Sequence, residues 1–229
     1  MSSDEKISVI IPTIQKRIKV TLKLVSILNN DDAVSEILII ENSGTGLYLP
    51  PNKKIEIYNS PENLYVNASW NLGISKIKNE RFLIINDDIL CCPNFCSMIL
   101  ESRILERNDT GLVGLHPHYI IQNDRYMVSD IEIPYCNDTI LSFNPMYNFM
   151  NTGDWGSAFF GKKSNYYTIP EDLKIIFGDN YILKKNLDNG KINYQICGLT
   201  FNHIHSLSSA SSEFSEIIGN DIANSRKYF

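Results

Sequence analysis

The chain has 229 residues, of which 43% are hydrophobic and 21% are charged. This length suits one large domain or two small ones, and the composition is that of a globular protein rather than a disordered one. The 26 acidic residues outnumber the 21 basic ones and give a formal net charge of −5. Non-specific electrostatic binding to nucleic acid is therefore not expected, because such binding needs a basic surface.

The five cysteines include no Cys-x-x-Cys pair. Cys92 and Cys96 are four residues apart and could ligate a metal on a helix, but no second Cys or His pair has a matching spacing. Free thiols in a reducing compartment are the preferred interpretation. No run approaches the ~20 apolar residues of a membrane helix, and no signal peptide is recognised. We therefore expect a cytoplasmic chain without a transmembrane segment; peripheral contact with a membrane stays open.

The first half of the chain alternates short apolar runs with helical patterns. Strands are predicted at residues 7–12, 36–40, 55–58, 81–85 and 111–115, and helices at residues 14–29, 67–78 and 94–106. Apolar runs of this length are typical of parallel strands that are buried on both faces. The alternation over residues 1–115 thus predicts an α/β domain with a mostly parallel sheet.

The second half has weaker periodicity and is rich in Tyr, Asn, Pro and Met up to residue 150. Short antiparallel strands are predicted near residues 119–122, 126–129 and 140–143, and a glycine-punctuated strand at residues 153–161. An extended stretch is predicted at residues 194–205, and helices at residues 179–186 and 213–227. Since no linker composition divides the chain, we expect residues 1–229 to form one domain.

Polar residues follow three of the predicted strands at their carboxyl ends. They are Pro12-Thr13, Glu41-Asn42-Ser43 and Asn86-Asp87-Asp88. Ligands of parallel α/β sheets bind beyond these ends. Because adjacent carboxylates repel each other, Asp87 and Asp88 would need a cation, and Mg²⁺ or Mn²⁺ fits oxygen ligands. The alternative is that one of them only caps a helix.

Titratable residues near the C-terminus are further candidates. His203 and His205 share one face of an extended segment, and either could contact a metal or a phosphate. A satisfied histidine is the alternative. Asp179 stands at a predicted helix start, where it could be a general base or only a helix cap.

Two other polar segments could contact a ligand. Residues 154–156 join a carboxylate, an indole and a glycine, which suits stacking on a sugar ring, although a core tryptophan is equally compatible. Asn63, Asn67 and Asn71 recur every four residues and could form hydrogen bonds from one helical face, or simply be exposed.

Taken in order, these motifs resemble the GT-A glycosyltransferases of the family 2 type. The early segments are ISVIIPT (7–13), EILIIENS (36–43), WNLGI (70–74) and RFLIINDDI (81–89). The later segments GDWGSAFFG, FGDN and FNHIHSLS look like that family's acceptor region, catalytic helix and terminal histidine motif. The resemblance extends to about residue 208. It implies a Rossmann-like, mostly parallel central sheet flanked by helices, with a smaller antiparallel acceptor-side portion.

The resemblance also implies residue roles. Asp179 would be the catalytic base, Asp88 the main metal ligand, and His203, preferred over His205, a metal or diphosphate contact. The nucleotide sugar would contact Pro12, Thr13, Glu41, Asn71, Asn86 and Asp87. The acceptor would contact Asp154, Trp155 and Gly156. Residues 1–115 would form the nucleotide-sugar half of the domain and residues 116–229 the acceptor half.

The implied function is that of a metal-dependent, inverting hexosyl- or deoxyhexosyltransferase. It would use Mn²⁺ or Mg²⁺ to move a sugar from a UDP- or GDP-linked donor to a glycan or another hydroxyl acceptor. Two positions depart from the family pattern: Asn86 replaces the first Asp of Asp-x-Asp, and Asp179-Asn180 replaces Glu-Asp. Glu171 and Asp172 are the fallback bases.

Two other functions stay open at this stage. A sugar nucleotidyltransferase usually has a glycine-rich loop after its first strand, and Ile11 to Gln15 has none. A non-catalytic nucleotide- or carbohydrate-binding module is the other alternative. The sequence does not determine the donor, the acceptor or the oligomeric state.

Overall fold

The computed structural model describes residues 6–123, 130–136, 140–150, 152–204 and 212–229. The strands are β1 (Ile7–Thr13), β2 (Val34–Glu41), β3 (Ile55–Asn59), β4 (Arg81–Ile85), β5 (Ile89–Leu90), β6 (Thr110–Leu115), β7 (Ile120–Asn123), β8 (Ser142–Met146), β9 (Ala158–Lys162), β10 (Ile192–Cys197) and β11 (Phe201–Ile204). The helices are α1 (Ile18–Asn29), α2 (Tyr65–Lys76), α3 (Phe95–Glu101), α4 (Gly178–Asp188) and α5 (Ser215–Ser225).

The larger sheet has eight strands in the order β3-β2-β1-β4-β9-β6-β10-β8. Strands β1 to β4 are parallel to their neighbours among themselves, and β6 is parallel to β10. Strand β9 is antiparallel to β4 and β6, and β8 is antiparallel to β10. The predicted α/β architecture with a mostly parallel central sheet is thus confirmed.

Apolar side chains cover both faces of this sheet. Val9 and Ile11 of β1 pack in one cluster with Leu24 of α1, whereas Ile10 packs in a second cluster with Trp70 of α2 and Ile182 of α4. Successive strand residues point to opposite faces, so a strand between two helical layers needs an unbroken apolar run. This is why the sequence of β1 does not alternate.

A smaller sheet of three strands has the order β5-β11-β7. Strand β11 is antiparallel to β5 but parallel to β7. The prediction of an antiparallel strand near residues 119–122 is therefore wrong in direction, because β7 pairs with a distant strand rather than with a hairpin neighbour. The strand predicted at residues 126–129 lies outside the described residues.

Two predicted elements are shorter than expected. The helix predicted at residues 94–106 ends at Glu101, since Arg103 adopts a left-handed conformation with φ of 57°. The strand predicted at residues 153–161 begins only at Ala158, because Gly153–Ser157 forms a 3-10 helix.

The prediction that the thiols are free is wrong for Cys92 and Cys136, which form a disulfide with a Cα–Cα distance of 6.0 Å. Cys92 is consequently not available as a metal ligand beside Cys96. Cys91, Cys96 and Cys197 are free and buried. The sequence could not reveal the pairing, because 44 residues separate the two partners.

Among the described residues, no helix combines the length and apolar character that crossing a membrane requires.

A buried carboxylate ties α3 to the loop after α1. Asp31 is 1% exposed, and its Oδ2 accepts hydrogen bonds from the backbone N–H of Cys96 at 2.8 Å and of Ser97 at 3.2 Å. Its Oδ1 accepts from the Ser97 hydroxyl at 2.6 Å and from the Ala33 N–H at 3.0 Å. This carboxylate therefore accepts hydrogen bonds from N–H groups at the start of α3, whose N-cap residue makes no side-chain cap.

Replacing Asp31 by Asn should lower the free energy of unfolding by about 1–3 kcal/mol, because an amide NH₂ would then face N–H donors that lose their acceptor. Urea unfolding measures this loss. The exposed neighbour Asp32 supplies the matched control: Asp32→Asn should change the value by less than about 0.5 kcal/mol. Equal losses in the two variants would contradict the role given to Asp31.

Candidate active site

A cavity of about 330 Å³ lies at the carboxyl ends of β1, β2 and β4. The predicted site residues that line it are Pro12, Thr13, Asn86, Asp87, Asp88, Asp154, Gly156, Asp179 and His203. They come from both halves of the chain. Folding therefore brings together motifs that are up to 190 residues apart in sequence, from Thr13 to His203.

Thr13 and Asp87 meet because β1 and β4 are parallel neighbours with Ile10 opposite Ile84. The Thr13 hydroxyl donates a hydrogen bond of 2.5 Å to Asp87 Oδ2. Burial and then the charge of Asp88 raise the pKa of Asp87 to about 7. The structure thus places two carboxylates side by side, and hydrogen bonds from Thr13, the Asp87 N–H and Thr21 offset their repulsion only in part.

Asp88 and His203 meet through the smaller sheet. Strand pairing sets His203 opposite Ile89, and the backbone N–H of Ile204 donates to the Asp88 carbonyl at 2.9 Å. The imidazole Nε2 of His203 then lies 3.4 Å from Asp88 Oδ1. His203 is 4% exposed and Asp88 is 8% exposed. Burial lowers the pKa of His203, but the Asp88 carboxylate and then the charge of Asp154 outweigh it, so this pKa is raised overall.

His205, Ser206 and Ser208 of the terminal histidine motif lie outside the described residues. The preference for His203 over His205 as a metal contact therefore stays a prediction.

Asp179 occupies the first turn of α4 and lines the cavity. Burial raises the pKa of its carboxyl group, and the Thr152 hydroxyl donates to Oδ2 at 3.4 Å. A Cβ on Gly156 would come within 2.6 Å of the same Oδ2. Glycine at this position therefore leaves the room that the Asp179 carboxylate needs.

The residue at the start of α4 has an unusual backbone conformation. Phe177 has a left-handed φ of 64°, which is a rare conformation for a bulky residue. Such conformations cost about 1–3 kcal/mol and persist only where the surroundings enforce them. The position of Asp179 two residues later is consequently imposed by tertiary contacts rather than by local preference.

Three predicted contact residues are absent from the cavity lining that the described residues define. The Glu41 carboxylate accepts hydrogen bonds from the backbone N–H groups of Ser43 and Gly46 and so closes the loop after β2. Asn71 donates to the Ile169 carbonyl at 2.9 Å and accepts from the Ile169 N–H at 3.0 Å. Both side chains thus stabilise loops instead of facing the cavity.

The indole of Trp155 is also not a stacking surface for a ligand. It is fully buried, stacks on Phe159 with ring centroids 5.3 Å apart, and donates its Nε1–H to the Tyr194 carbonyl. Asp154 in the preceding position does reach the cavity, where Gln122 donates a hydrogen bond to its carboxylate. The core alternative that the sequence left open is therefore correct for the tryptophan alone.

The fallback bases are also outside the lining. Glu171 is exposed, and Asp172 accepts from Lys227 at 2.7 Å and from the Tyr228 hydroxyl at 2.6 Å.

Sequence reasoning missed part of the cavity wall. The missed lining residues include Tyr65, Val66, Ile175, Ile176, Phe177 and Phe214. Phe214 precedes α5, packs edge-on against Tyr65 with centroids 6.1 Å apart, and carries the Lys16 ammonium 5.1 Å above its ring. No local signal marks these positions, because an apolar wall residue has the same sequence pattern as a core residue.

Acidic side chains dominate the ionisable groups that line the cavity. Among the described lining residues there are four aspartates and one histidine, and neither a lysine nor an arginine. Asp88 Oδ1 is buried and accepts no hydrogen bond of good geometry from the described residues. Such an orphaned carboxylate oxygen beside an imidazole nitrogen fits a hard divalent cation.

A complete cation site is not preformed. The described residues contain no group of three or more His, Cys, Asp or Glu side chains that could hold a metal ion. Asp88, His203 and the adjacent Asp87 would supply some of the ligands. Water and an anionic substrate would supply the rest, which is the usual coordination of Mg²⁺ in phosphate sites.

The chain matches the sequence model of glycosyl transferase family 2 over residues 8–164. It therefore belongs to that family and is a glycosyltransferase. No curated protein matches the chain in sequence.

Two crystal structures of S. aureus TarS, both of residues 1–349, have a similar fold. The first has a TM-score of 0.56 at 12% identity and aligns with 97% of this chain and 72% of that chain. The second, in complex with UDP-GlcNAc, has a TM-score of 0.59 at 14% identity and covers 93% of this chain and 64% of that chain. This chain is thus shorter than its structural neighbours, and the likeness confirms the GT-A fold.

The pKa of about 7 at Asp87 predicts that stability falls as the pH rises from about 4 to about 7 in the presence of a chelator, because the folded chain binds this proton more tightly than the unfolded chain. Asp87→Asn should therefore melt above the wild type at pH 8, with the gap closing towards pH 4. Thermal unfolding across this pH range measures the effect.

Asp172 provides a control for which stability should change with pH in the opposite direction. Hydrogen bonds from Lys227 and Tyr228 lower the pKa of this carboxyl group, so its stabilisation is present above a pH of about 4 and is lost as the pH falls through the lowered pKa. Asp172→Asn should then melt below the wild type at pH 8. An Asp87→Asn difference that does not change with pH would contradict the titration of Asp87.

Proposed function

We propose that this chain binds a UDP- or GDP-linked sugar together with Mn²⁺ or Mg²⁺ in the cavity, and that it transfers the sugar with inversion to a hydroxyl of a glycan or another glycoconjugate. One observation carries the proposal. In this family 2 glycosyltransferase, a cluster of aspartates lines the cavity at the strand ends. In the proposed division of labour, residues 1–115 supply most donor contacts and residues 116–229 bind the acceptor, while Ile176, His203 and Phe214 reach the donor from the second half.

The electrostatics of the cavity favour a cation-dependent donor. Two like charges 4 Å apart repel by about 4 kcal/mol at an effective dielectric constant near 20. A diphosphate beside Asp87 and Asp88 would meet this repulsion, and the described lining offers no Lys or Arg to offset it. A divalent ion held by Asp88 and His203 would turn this repulsion of the diphosphate into attraction. When bound, it would also act as a Lewis acid towards the diphosphate leaving group.

The apolar part of the cavity lining suits a nucleoside. Tyr65, Val66, Ile176 and Phe214 present aromatic and aliphatic surface there, and Asn42 adds an amide. Ligand sites of this kind combine apolar walls with a few polar groups that set orientation. The UDP-GlcNAc complex of S. aureus TarS, a protein of similar fold, supports a nucleoside-diphosphate sugar as the donor class.

Asp179 would act as the catalytic base. Its carboxylate would accept the proton of the acceptor hydroxyl while the hydroxyl oxygen forms a bond to the anomeric carbon. The bond from that carbon to the diphosphate oxygen breaks on the opposite face, so the configuration inverts and the nucleoside diphosphate leaves. The raised pKa of Asp179 brings the base closer to neutral pH, where proton transfer is more favourable. Asp154 and Gly156, which line the same cavity, would contact the acceptor.

Replacing Asp88 by Ala should abolish metal-dependent donor binding, because the buried carboxylate is the main anionic ligand. Calorimetric titration with UDP, GDP and their sugars, with and without Mn²⁺, measures this. Asp109→Ala removes an exposed carboxylate that pairs with Arg107, and should leave binding unchanged. Wild-type protein that is folded but binds none of these nucleotides would contradict the proposed function.

Replacing Asp179 by Asn should reduce turnover by ~10²-fold or more, because a general base contributes on this order, while donor binding is retained. Release of nucleoside diphosphate with water as the acceptor measures the rate. The acid limb of the wild-type pH profile should lie above the range of an ordinary carboxylate, since burial raises this pKa. Asp188→Asn, at the other end of α4, is the control. Near-normal turnover of Asp179→Asn would remove this residue from the role of base.

A further inference from the structure

The loop that leads into α4, here called the approach loop (residues 172–177), forms part of the cavity wall through Ile175, Ile176 and Phe177. Asp179 follows it by two residues. The conformation of this loop therefore decides where the carboxylate stands. Two helices that are far from it in sequence bind its backbone.

Helix α5 binds the N–H groups of the approach loop through one carboxylate. Asp221 is 1% exposed, and its Oδ1 accepts from the Lys174 N–H at 2.9 Å. Its Oδ2 accepts from the Ile175 N–H at 2.7 Å and from the Ile176 N–H at 3.0 Å. Three successive N–H groups that converge on one anion form a nest, and here a side chain of the same chain fills it.

Helix α2 binds the carbonyl groups of the same loop. The Asn67 amide donates to the Leu173 carbonyl at 3.0 Å and to the Ile176 carbonyl at 3.2 Å, and its backbone N–H donates to the Lys174 carbonyl at 3.0 Å. A Cβ on Gly178 would lie 2.1 Å from Asn67 Oδ1, so the loop fits closely against α2. Helix α5 thus satisfies donors of the approach loop, and helix α2 satisfies its acceptors.

We propose that Asp221 is a positioning residue for transfer: its carboxylate holds the approach loop in the strained conformation that places Asp179 in the cavity and keeps water from its carboxyl group. The left-handed Phe177 lies directly between the nest and Asp179, where its backbone needs such external support. The inference rests on the proposed function only in taking Asp179 as the base.

The chain offers a matched comparison for this role. Asp31 is equally buried and also accepts hydrogen bonds from three backbone N–H groups. Two of these N–H groups belong to α3, whose residues are not among the described lining of the cavity. A variant at Asp31 should therefore lose stability without moving Asp179. Asp221→Glu keeps the anion and should restore part of what Asp221→Asn loses.

The test compares wild type, Asp221→Asn, Asp221→Glu and Asp31→Asn by two readouts. One is the turnover of UDP- and GDP-sugars with water and Mn²⁺; the other is the pKa of Asp179 from ¹³C NMR of its carboxyl group. The charged or titratable groups in the described lining around Asp179 are Asp87, Asp88, Asp154 and His203. Asp221 is not one of them, so an effect on Asp179 would pass through loop position and hydration rather than through direct charge.

We expect Asp221→Asn to reduce turnover by roughly 10- to 100-fold, the range for a misplaced catalytic group, and to lower the pKa of Asp179 towards its ordinary value. Asp31→Asn should melt earlier while both readouts stay at wild-type values. Wild-type turnover and an unchanged Asp179 pKa in folded Asp221→Asn would overturn the inference and leave Asp221 a structural residue only.

Failure of the proposed function gives a different pattern. In that case the wild type would not turn over any donor, whereas the pKa of Asp179 would still fall in Asp221→Asn. Should this variant not fold, Asn224→Ala provides the second test, since the Asn224 amide donates to the Asp172 carbonyl at the start of the same loop. Smaller shifts in the same direction are expected there, and their absence would also overturn the inference.

Discussion

The structure of the site depends on one electrostatic constraint: Asp87, Asp88, Asp154 and Asp179 line one partly buried cavity, and the described lining has only His203 as a potential cation. Burial raises the pKa values of Asp87 and Asp179, because a carboxylate removed from water is easier to keep protonated. Crowding of this kind is costly for folding alone. The cation and the anionic donor that we propose for this site would offset that cost.

The fold meets this constraint by drawing the charged groups of the cavity from three separate parts of the chain. Strand β4 ends at Ile85 and delivers the Asp87-Asp88 pair, the smaller sheet brings His203 against Asp88, and α4 presents Asp179 from its first turn. The ends of rigid strands fix the positions of Asp87 and Asp88, whereas a loop fixes the position of Asp179. The position of Asp179, the proposed base, therefore needs support from outside its own helix, and Asp221 and Asn67 supply it through hydrogen bonds to the approach loop.

Sequence patterns were sufficient where chemistry and local structure coincide. The short, mostly apolar run of β1, the strand-end position of Asp88 and the helix-start position of Asp179 each have a local cause, so the architecture and the main candidates could be predicted. Glu41, Asn71 and Trp155 show the limit of this reasoning. Each is of a residue type that binds ligands, but loop closure and core packing use them instead.

The sequence by itself determined the α/β class, the family resemblance and the carboxylates at the strand ends, because periodicity and motif order are properties of neighbouring residues. Only the tertiary structure decided that Cys92 pairs with Cys136, that β7 runs parallel to β11, and that Asp221 holds the loop before Asp179. These contacts join residues that are between 44 and 81 positions apart. Their formation depends on how whole elements pack, and no local pattern encodes that distance.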